Sequence, residues 1–231
     1  MSDERKKLWE PSKKWIKNAE VTHFITFANK EYGEEIKGGK DLYKWSVEKI
    51  SDFWEAMWNF SRIIASKSYD KAVEDLSVFP GTKWFPGAKL NFAENLLKYR
   101  DNQLAFIFQG ETKVSKKITY AELYRIVARL VKSLKDMGIT VGDRIVSYIP
   151  NLIETPTAML ATTTIGAIWA SCGAELQPSA VIDRFSQIKP KVLFTVDGYY
   201  YRGKEFDIRK NVKAVVHAIP SIEKVIVVSY V

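Results

Sequence analysis

The chain has very few of the residues that form disulfides and metal sites. Cys172 is its only cysteine, and His23 and His217 are its only histidines. A single cysteine cannot form a disulfide within the chain, which favours a reducing compartment, and we expect a cytosolic protein. The two histidines lie far apart without ligand-type neighbours, which favours surface or core roles over metal binding. No basic residue precedes Cys172 within ten positions, so we expect a small buried thiol and not a nucleophile.

Long hydrophobic runs and a leader-type start are missing as well. The opening MSDERKKLWE is too charged for a signal peptide. The most apolar stretch, AMLATTTIGAIWASCGA, falls short of the roughly 20 residues that a membrane span needs, and threonines interrupt it. We therefore expect no membrane span.

The charge balance is the feature that most suggests a polyanionic partner. The net charge is +8, from 35 Lys and Arg against 27 Asp and Glu. The basic residues are dispersed, however, and the chain shows no zinc-finger spacing, RNP-like strand or basic helix. The pattern favours a solvated basic surface or a preference for small anions, and we expect no nucleic-acid partner.

The chain also lacks the usual phosphate-binding motifs. Neither GxxxxGK[ST] nor GxGxxG is present, and no loop rich in Ser, Thr and Gly ends in lysine. The paired carboxylates, such as Glu34 and Glu35, lie in polar segments and are expected to be solvated. The sequence therefore gives no candidate catalytic residue and no candidate metal ligand.

Apolar residues make up 46% of the chain, which is enough for a sizeable core. Residues 1–50 lack sustained periodicity and are expected to form an extended arm. A helix is expected from Ser51, with Ser51 as its cap. Its apolar face would carry Phe53, Met57, Phe60 and Ile64, with Trp54 and Trp58 beside them. Two Pro-Gly pairs within 79–91 predict turns and a boundary.

Beyond that boundary the pattern predicts a hairpin and then a helix. The hairpin has strands at 104–108 and near 117–120, with Gly110 in its turn. Thr119 and Glu122 have the spacing of a capping box that opens the helix, and Gly138 is placed to end it.

From residue 143 onward strands and helices alternate. The predicted strands are 143–150, 191–196 and 223–231. The predicted helices are 154–167, 179–190 and 208–219. Continuous apolar runs such as KVLFTV are typical of strands buried on both faces of a parallel sheet, so the fold class is α/β, built from β-α-β units. Because the last apolar run would lie at a sheet edge, we expect the sequence to be part of a longer polypeptide.

The stretch DGYYYRGK, 197–204, follows the strand 191–196 and permits two interpretations. It is either a polar turn, as Asp-Gly often is, or an anion site. Ligands of open α/β sheets bind outside the carboxyl ends of strands, where this stretch lies. Tyrosine rings provide stacking surfaces, Arg202 and Lys204 suit phosphates, and Gly203 lets a ligand approach the backbone. The residues alone leave both interpretations open.

Three longer segments carry a family resemblance. Residues 83–97, 118–151 and 166–194 together resemble the N-terminal part of acyl-CoA synthetases, and most of all the acetoacetate–CoA ligase branch. The resemblance covers almost the whole chain. It implies an N-terminal arm at 1–39, a Trp-rich, mainly helical module at 40–97, and the first part of the adenylating domain, with a mostly parallel sheet, at 98–231.

The resemblance implies an activity and a site. Members of this family use ATP and Mg²⁺ to convert a carboxylic acid to an acyl-adenylate, then transfer the acyl group to coenzyme A. For the acetoacetate branch this implies a role in ketone-body use and lipid metabolism. Related acetyl-CoA synthetases carry an Arg-Gly-Gly-Arg/Lys stretch that contacts the coenzyme A nucleotide. Gly203 and Lys204 match its last two positions, whereas Tyr201 and Arg202 replace its Arg and first Gly.

Two departures from the family pattern keep alternatives open. Acetoacetate ligases usually have Ser-Pro-Asp-Phe-Gly where this chain has Gly173 to Gln177. The family's ATP loop and its catalytic lysine also lie outside these 231 residues, so we expect the chain alone to be inactive. The alternatives are a non-catalytic interaction or ligand-binding module and a ligase for another short-chain acid.

Overall fold

A computed structural model describes residues 8–111 and 115–231. The chain divides into two compact units, Met1–Leu90 and Asn91–Val231. The three-part division into 1–39, 40–97 and 98–231 stays a prediction.

The first unit is built around a helical aromatic core. Its helices are α1 Lys13–Lys17, α2 Glu20–Tyr32, α3 Gly39–Glu48 and α4 Ile50–Phe60. The ring of Phe24 packs against those of Trp45, Phe53 and Phe60. The expected extended arm is therefore wrong where the structure describes it. Phe24 and Ala28 are four residues apart on α2, and burying both stabilises a helix there.

Helix α4 confirms part of the expected apolar face. Phe53, Met57 and Phe60 pack against the aromatic core, but Ile64 is exposed and lies beyond the helix. Arg62 has a φ of 49°, and this left-handed conformation is incompatible with a continuing helix. The expected Ser51 cap is also wrong. The helix already begins at Ile50, and its N-cap, Lys49, makes no side-chain capping bond.

The segment between α4 and the second unit is irregular. Val73 and Trp84 form an isolated antiparallel bridge there. Gly81 and Gly87, the glycines of the two Pro-Gly pairs, have φ angles of 121° and 85°. The predicted turns are confirmed.

The second unit opens with a short helix, a hairpin and a long helix. These are α5 Phe92–Leu96, β1 Leu104–Gln109, β2 Ser115–Thr119 and α6 Tyr120–Asp136. The hairpin strands are antiparallel, as predicted. The capping box is also confirmed. Thr119 Oγ1 accepts a hydrogen bond from the Glu122 N–H, and the Glu122 carboxylate accepts one from the Thr119 N–H.

A four-stranded parallel sheet forms the centre of the second unit. Its strands are β3 Arg144–Tyr148, β4 Ile168–Cys172, β5 Val192–Val196 and β8 Lys224–Val228, in the order β4-β3-β5-β8. The helices between them are α7 Glu154–Ile165, α8 Pro178–Ser186 and α9 Arg209–Ala218. The α/β fold class is confirmed, and β5 is buried along its whole length as KVLFTV predicted.

Two strands differ from expectation. The sequence pattern did not predict β4, whose five residues IWASC begin only three positions after the last residue of α7 and include Ala, which is depleted in strands. Strand β8 was expected to be buried, but Val225 and Val227 are 40% and 56% exposed. Within the described residues β8 pairs with β5 alone, so one of its edges is free.

The helices cover opposite faces of the sheet. Helices α6 and α7 share one hydrophobic core, which includes Leu123 and Leu160. Helices α8 and α9 share another, with Phe185 and Val215. Strand β3 has β4 on one side and β5 on the other. The order in which strands are added to the sheet therefore reverses at β3: β4 is added on one side, and β5 and β8 are added on the other. Among the described residues, no helix has the length and apolar character of a membrane span.

Candidate functional site

A cavity of about 740 Å³ opens at the carboxyl ends of the parallel strands. Three loops line it. The first follows β3, the second follows β4, and the third lies beyond β5. Its lining residues are Ile149, Pro150, Asn151, Gly173, Glu175, Tyr199, Tyr200, Tyr201 and Phe206. The cavity thus lies where the strand order reverses, which is the usual ligand position in open α/β sheets.

A small hairpin carries the predicted site. Its strands are β6 Gly198–Tyr201 and β7 Lys204–Asp207, and they pair antiparallel with Tyr201 opposite Lys204. The two loop residues, Arg202 and Gly203, both have positive φ, at 51° and 72°. Two-residue hairpin loops with this geometry match the natural twist of paired strands. Of the four predicted residues, only Tyr201 lines the cavity, whereas Arg202, Gly203 and Lys204 form the end of the hairpin beside it.

The hairpin tip is exposed and cationic. The Arg202 guanidinium lies 5.2 Å from the centre of the Tyr201 ring, whose side chain is half exposed. The Gly203 N–H donates a hydrogen bond of 3.0 Å to Glu111 Oε2. Neither Arg202 nor Lys204 forms an ion pair with another described residue. Both charges are therefore available to an anion.

Aromatic contacts hold the hairpin in place. The rings of Tyr199 and Phe206 stack at 5.2 Å with an interplanar angle of 12°. Tyr200 meets Tyr230 edge to face, with ring centres 5.6 Å apart. These rings are partly exposed, and their contacts join β6 to β7 and the hairpin to the segment after β8.

Asp197 joins the hairpin to the segment that follows β8. Its carboxylate accepts hydrogen bonds from the Tyr230 N–H at 2.8 Å, the Val231 N–H at 3.2 Å and the Ser229 hydroxyl at 3.0 Å. Burial alone would raise the pKa of Asp197, but these hydrogen bonds outweigh it and lower the pKa below its usual value. Sequence reasoning had treated this residue only as part of an Asp-Gly turn.

The cavity lining outside the hairpin contains residues that the sequence analysis does not select. They are Asn151 after β3, and Gly173 and Glu175 after β4. Their position directly after strand ends could have indicated them in the sequence. For Gly173 and Glu175 this was not possible, because the sequence pattern does not predict β4. The Tyr148 hydroxyl donates a hydrogen bond to the Leu176 carbonyl and so ties the loop after β4 to β3. Burial raises the pKa of Tyr148 and keeps it a neutral donor.

The remaining sequence candidates have structural explanations. Cys172 is buried, as expected. His23 lies on the surface with Nδ1 3.7 Å from Glu20 Oε1. Within residues 8–111 and 115–231, no group of His, Cys, Asp and Glu is arranged to hold a metal ion.

Two family models match the chain over separate ranges. The model described as AMP-binding enzyme matches residues 92–230. The model described as acetyl-coenzyme A synthetase N-terminus matches residues 40–96.

Individual relatives are similar over almost the whole chain. An acetoacetyl-CoA synthetase from Gallus gallus is 39% identical, over 97% of this chain and 34% of its own length. An acetoacetyl-coenzyme A synthetase from Rhizobium meliloti is 38% identical, over 92% of this chain and 32% of its own. The solved acetoacetyl-CoA synthetase from Streptomyces lividans has a TM-score of 0.88 at 38% identity and covers 96% of this chain and 35% of its own. The chain spans about a third of the length of these relatives.

Proposed function

Because the chain belongs to the AMP-binding enzyme family, we propose that it is the N-terminal part of an acetoacetate–CoA ligase. Such an enzyme joins acetoacetate to ATP to give an acyl-adenylate and diphosphate. It then transfers the acyl group to the thiol of coenzyme A and releases AMP. The names of the relatives and their shared coverage of one N-terminal third support this assignment.

Within that reaction, we propose that the hairpin tip binds the nucleotide of coenzyme A. One observation carries the proposal: Arg202 and Lys204 lack ion pairs within the described residues and project from a turn beside the switch-point cavity. Lys204 and Arg202 would contact phosphate oxygens. Gly203 would allow close approach of the backbone where the phosphate takes the place of the Glu111 carboxylate, which accepts the Gly203 N–H in this structure. The exposed Tyr201 ring would offer a surface for the adenine.

The adenylation step needs groups that we do not assign to this chain. ATP and Mg²⁺ supply the activation of the carboxylate, and the described residues contain no acidic cluster suited to a metal ion. We therefore propose that the chain contributes to coenzyme A binding and to the supporting sheet. We also propose a cytosolic location, which the single buried cysteine favours.

A direct assay tests the proposal. The protein expressed from its complete reading frame is incubated with acetoacetate, ATP and Mg²⁺, and diphosphate release is followed before and after addition of coenzyme A. Acetoacetate-dependent release and formation of acetoacetyl-CoA support the assignment. The absence of both contradicts it.

One specific observation favours malonamate as a second candidate substrate. A malonamoyl-CoA synthetase from Penicillium aethiopicum is 32% identical over 91% of this chain and 30% of its own length. Malonamate and acetoacetate are both short acids with a carbonyl group at the third carbon. The same assay with both acids, compared by kcat/KM, identifies the preferred substrate.

A further inference from the structure

We propose that Glu175 makes the cavity selective for a purine that carries an exocyclic amino group, as adenine does. This inference rests on the proposed binding of coenzyme A. It adds a residue that recognises the base, in a loop separate from the hairpin that would bind the phosphates.

Glu175 differs chemically from the rest of the cavity wall. Of the described lining residues it alone has a charged side chain, and four others are aromatic: Tyr199, Tyr200, Tyr201 and Phe206. Its carboxylate has no hydrogen-bond or ion-pair partner among the described residues. A carboxylate beside aromatic rings without an internal partner is available to a ligand that stacks there.

The carboxylate lies close to the backbone of its own loop. A Cβ atom built on Gly173 would lie 2.4 Å from both Oε1 and Oε2 of Glu175, so the carboxylate occupies the space where a side chain at 173 would be. The clashing atoms are the end of an exposed, flexible side chain, so a larger residue at 173 would displace the carboxylate at little cost to the fold. The hydrogen bond from Tyr148 to the Leu176 carbonyl holds the same loop against β3. The loop that carries Glu175 is thus tied to β3, and the exposed Glu175 carboxylate lies close to Gly173 on the cavity wall.

The hydrogen-bonding capacity of a carboxylate decides which base it accepts. A carboxylate accepts hydrogen bonds and cannot donate them. The amino group of adenine donates, whereas hypoxanthine has a carbonyl oxygen at the same ring position. Hypoxanthine also carries a hydrogen on the neighbouring N1, which a carboxylate could accept, so the discrimination requires Glu175 to meet the exocyclic group from its N7 side. There two acceptors face each other and repel, and the carbonyl-bearing base is rejected. A base stacked on the tyrosine rings with its amino edge toward Glu175 meets both requirements.

The experiment compares coenzyme A with its analogue that has hypoxanthine in place of adenine. The protein from the complete reading frame is assayed as wild type, Glu175→Gln and Glu205→Gln. We expect the wild type to prefer coenzyme A by about tenfold or more in kcat/KM. Glu175→Gln should remove most of this preference, because an amide accepts from an amino group and donates to a carbonyl. Glu205→Gln makes the same charge change on the hairpin outside the cavity lining and should keep the preference.

A second variant and a second nucleotide strengthen the test. Gly173→Ala keeps the carboxylate but displaces it, and it should also lower the preference. Because ATP carries adenine too, each variant is assayed with ITP in place of ATP. The proposal is supported if the variants lose only the preference for coenzyme A over its hypoxanthine analogue. It is overturned if they lose only the preference for ATP over ITP.

The outcomes separate the two proposals. An unchanged preference in Glu175→Gln, or an equal loss in Glu205→Gln, overturns the role of Glu175 alone. If the wild type does not acylate coenzyme A, the proposed function fails. In that case the affinities of the same variants for adenosine 3′,5′-bisphosphate and for its inosine counterpart still decide whether Glu175 distinguishes the two bases.

Discussion

Lys191 Nζ lies 2.8 Å from Asp143 Oδ1, an ion pair between the residues that precede the neighbouring strands β5 and β3. The second carboxylate oxygen of Asp143 accepts hydrogen bonds from the backbone N–H and the hydroxyl of Thr140. These contacts fix how the two strands enter the sheet. The carboxyl ends of the same strands flank the cavity, so their alignment positions the site.

Asp143→Asn is expected to destabilise the chain by about 2 kcal/mol at neutral pH, since charged hydrogen bonds within a largely buried group are lost. The hydrogen bond from Lys191, with those from Thr140, lowers the pKa of Asp143 below its usual value. A lowered pKa in the folded state stabilises the fold above the unfolded pKa, and this contribution is lost as the pH falls through the folded value. Urea unfolding at several pH values measures it.

The pH dependence provides the control for this prediction. The stability difference between wild type and Asp143→Asn should be full at pH 7. It should shrink as the pH falls from about 4, where the carboxylate of the unfolded chain becomes protonated, through the lower pKa of the folded state. A difference that stays constant down to pH 2 would show that the carboxylate charge is unimportant.

Thr119→Ala is expected to cost about 1 kcal/mol, because it removes the side-chain half of the capping box at the start of α6. The matched control is Ser133→Ala in the same helix, whose hydroxyl bonds the Arg129 carbonyl within the helix. That substitution should change the free energy of unfolding little. Equal effects of the two variants would argue against the cap as the cause.

Some features of the fold could be predicted because their signals are local. The capping box needs two residues three positions apart, and the burial of β5 follows from one uninterrupted apolar run. The helix α2 was missed because its buried residues, Phe24 and Ala28, are separated by polar ones, and only the aromatic core formed by α3 and α4 explains their burial.

The part of the candidate site that could be predicted also has a local signal in the sequence. The tip residues 201–204 are adjacent in the sequence, and their position after β5 was visible. The paired hairpin was not, because arginine rarely adopts the positive φ that Arg202 has. Asn151 and Glu175 come from separate loops, and only the parallel pairing of β3 with β4 brings them to one cavity. Site residues that lie far apart in the sequence can be predicted only when the order of the strands in the sheet is known.

The 231-residue chain by itself is expected not to catalyse adenylation. Stabilising charge on a transferring nucleotide requires preorganised donors and a metal ion, and their absence costs many orders of magnitude in rate. Diphosphate release with acetoacetate, ATP and Mg²⁺ should not exceed that of an enzyme-free mixture. The protein from the complete reading frame is the positive control, and acetoacetate-dependent release by the short chain would refute the prediction.

Lys204→Ala in the protein from the complete reading frame is expected to raise the KM for coenzyme A. A charge-assisted contact to phosphate contributes about 1.5–3 kcal/mol, so the increase should be about tenfold to a hundredfold. The KM for ATP should hardly change, because the hairpin takes no part in adenylation under this proposal. Steady-state kinetics with each substrate varied in turn measure both values.

The control for Lys204 is Lys213→Ala, which removes an exposed cation from α9, outside the cavity lining. It changes the net charge equally, so any general electrostatic attraction of coenzyme A falls by a similar amount in both variants. A specific contact predicts a large effect at Lys204 alone. Equal KM values for the two variants, or an adenylation half-reaction slowed by Lys204→Ala without coenzyme A, would mean that the hairpin tip is only a solvated turn.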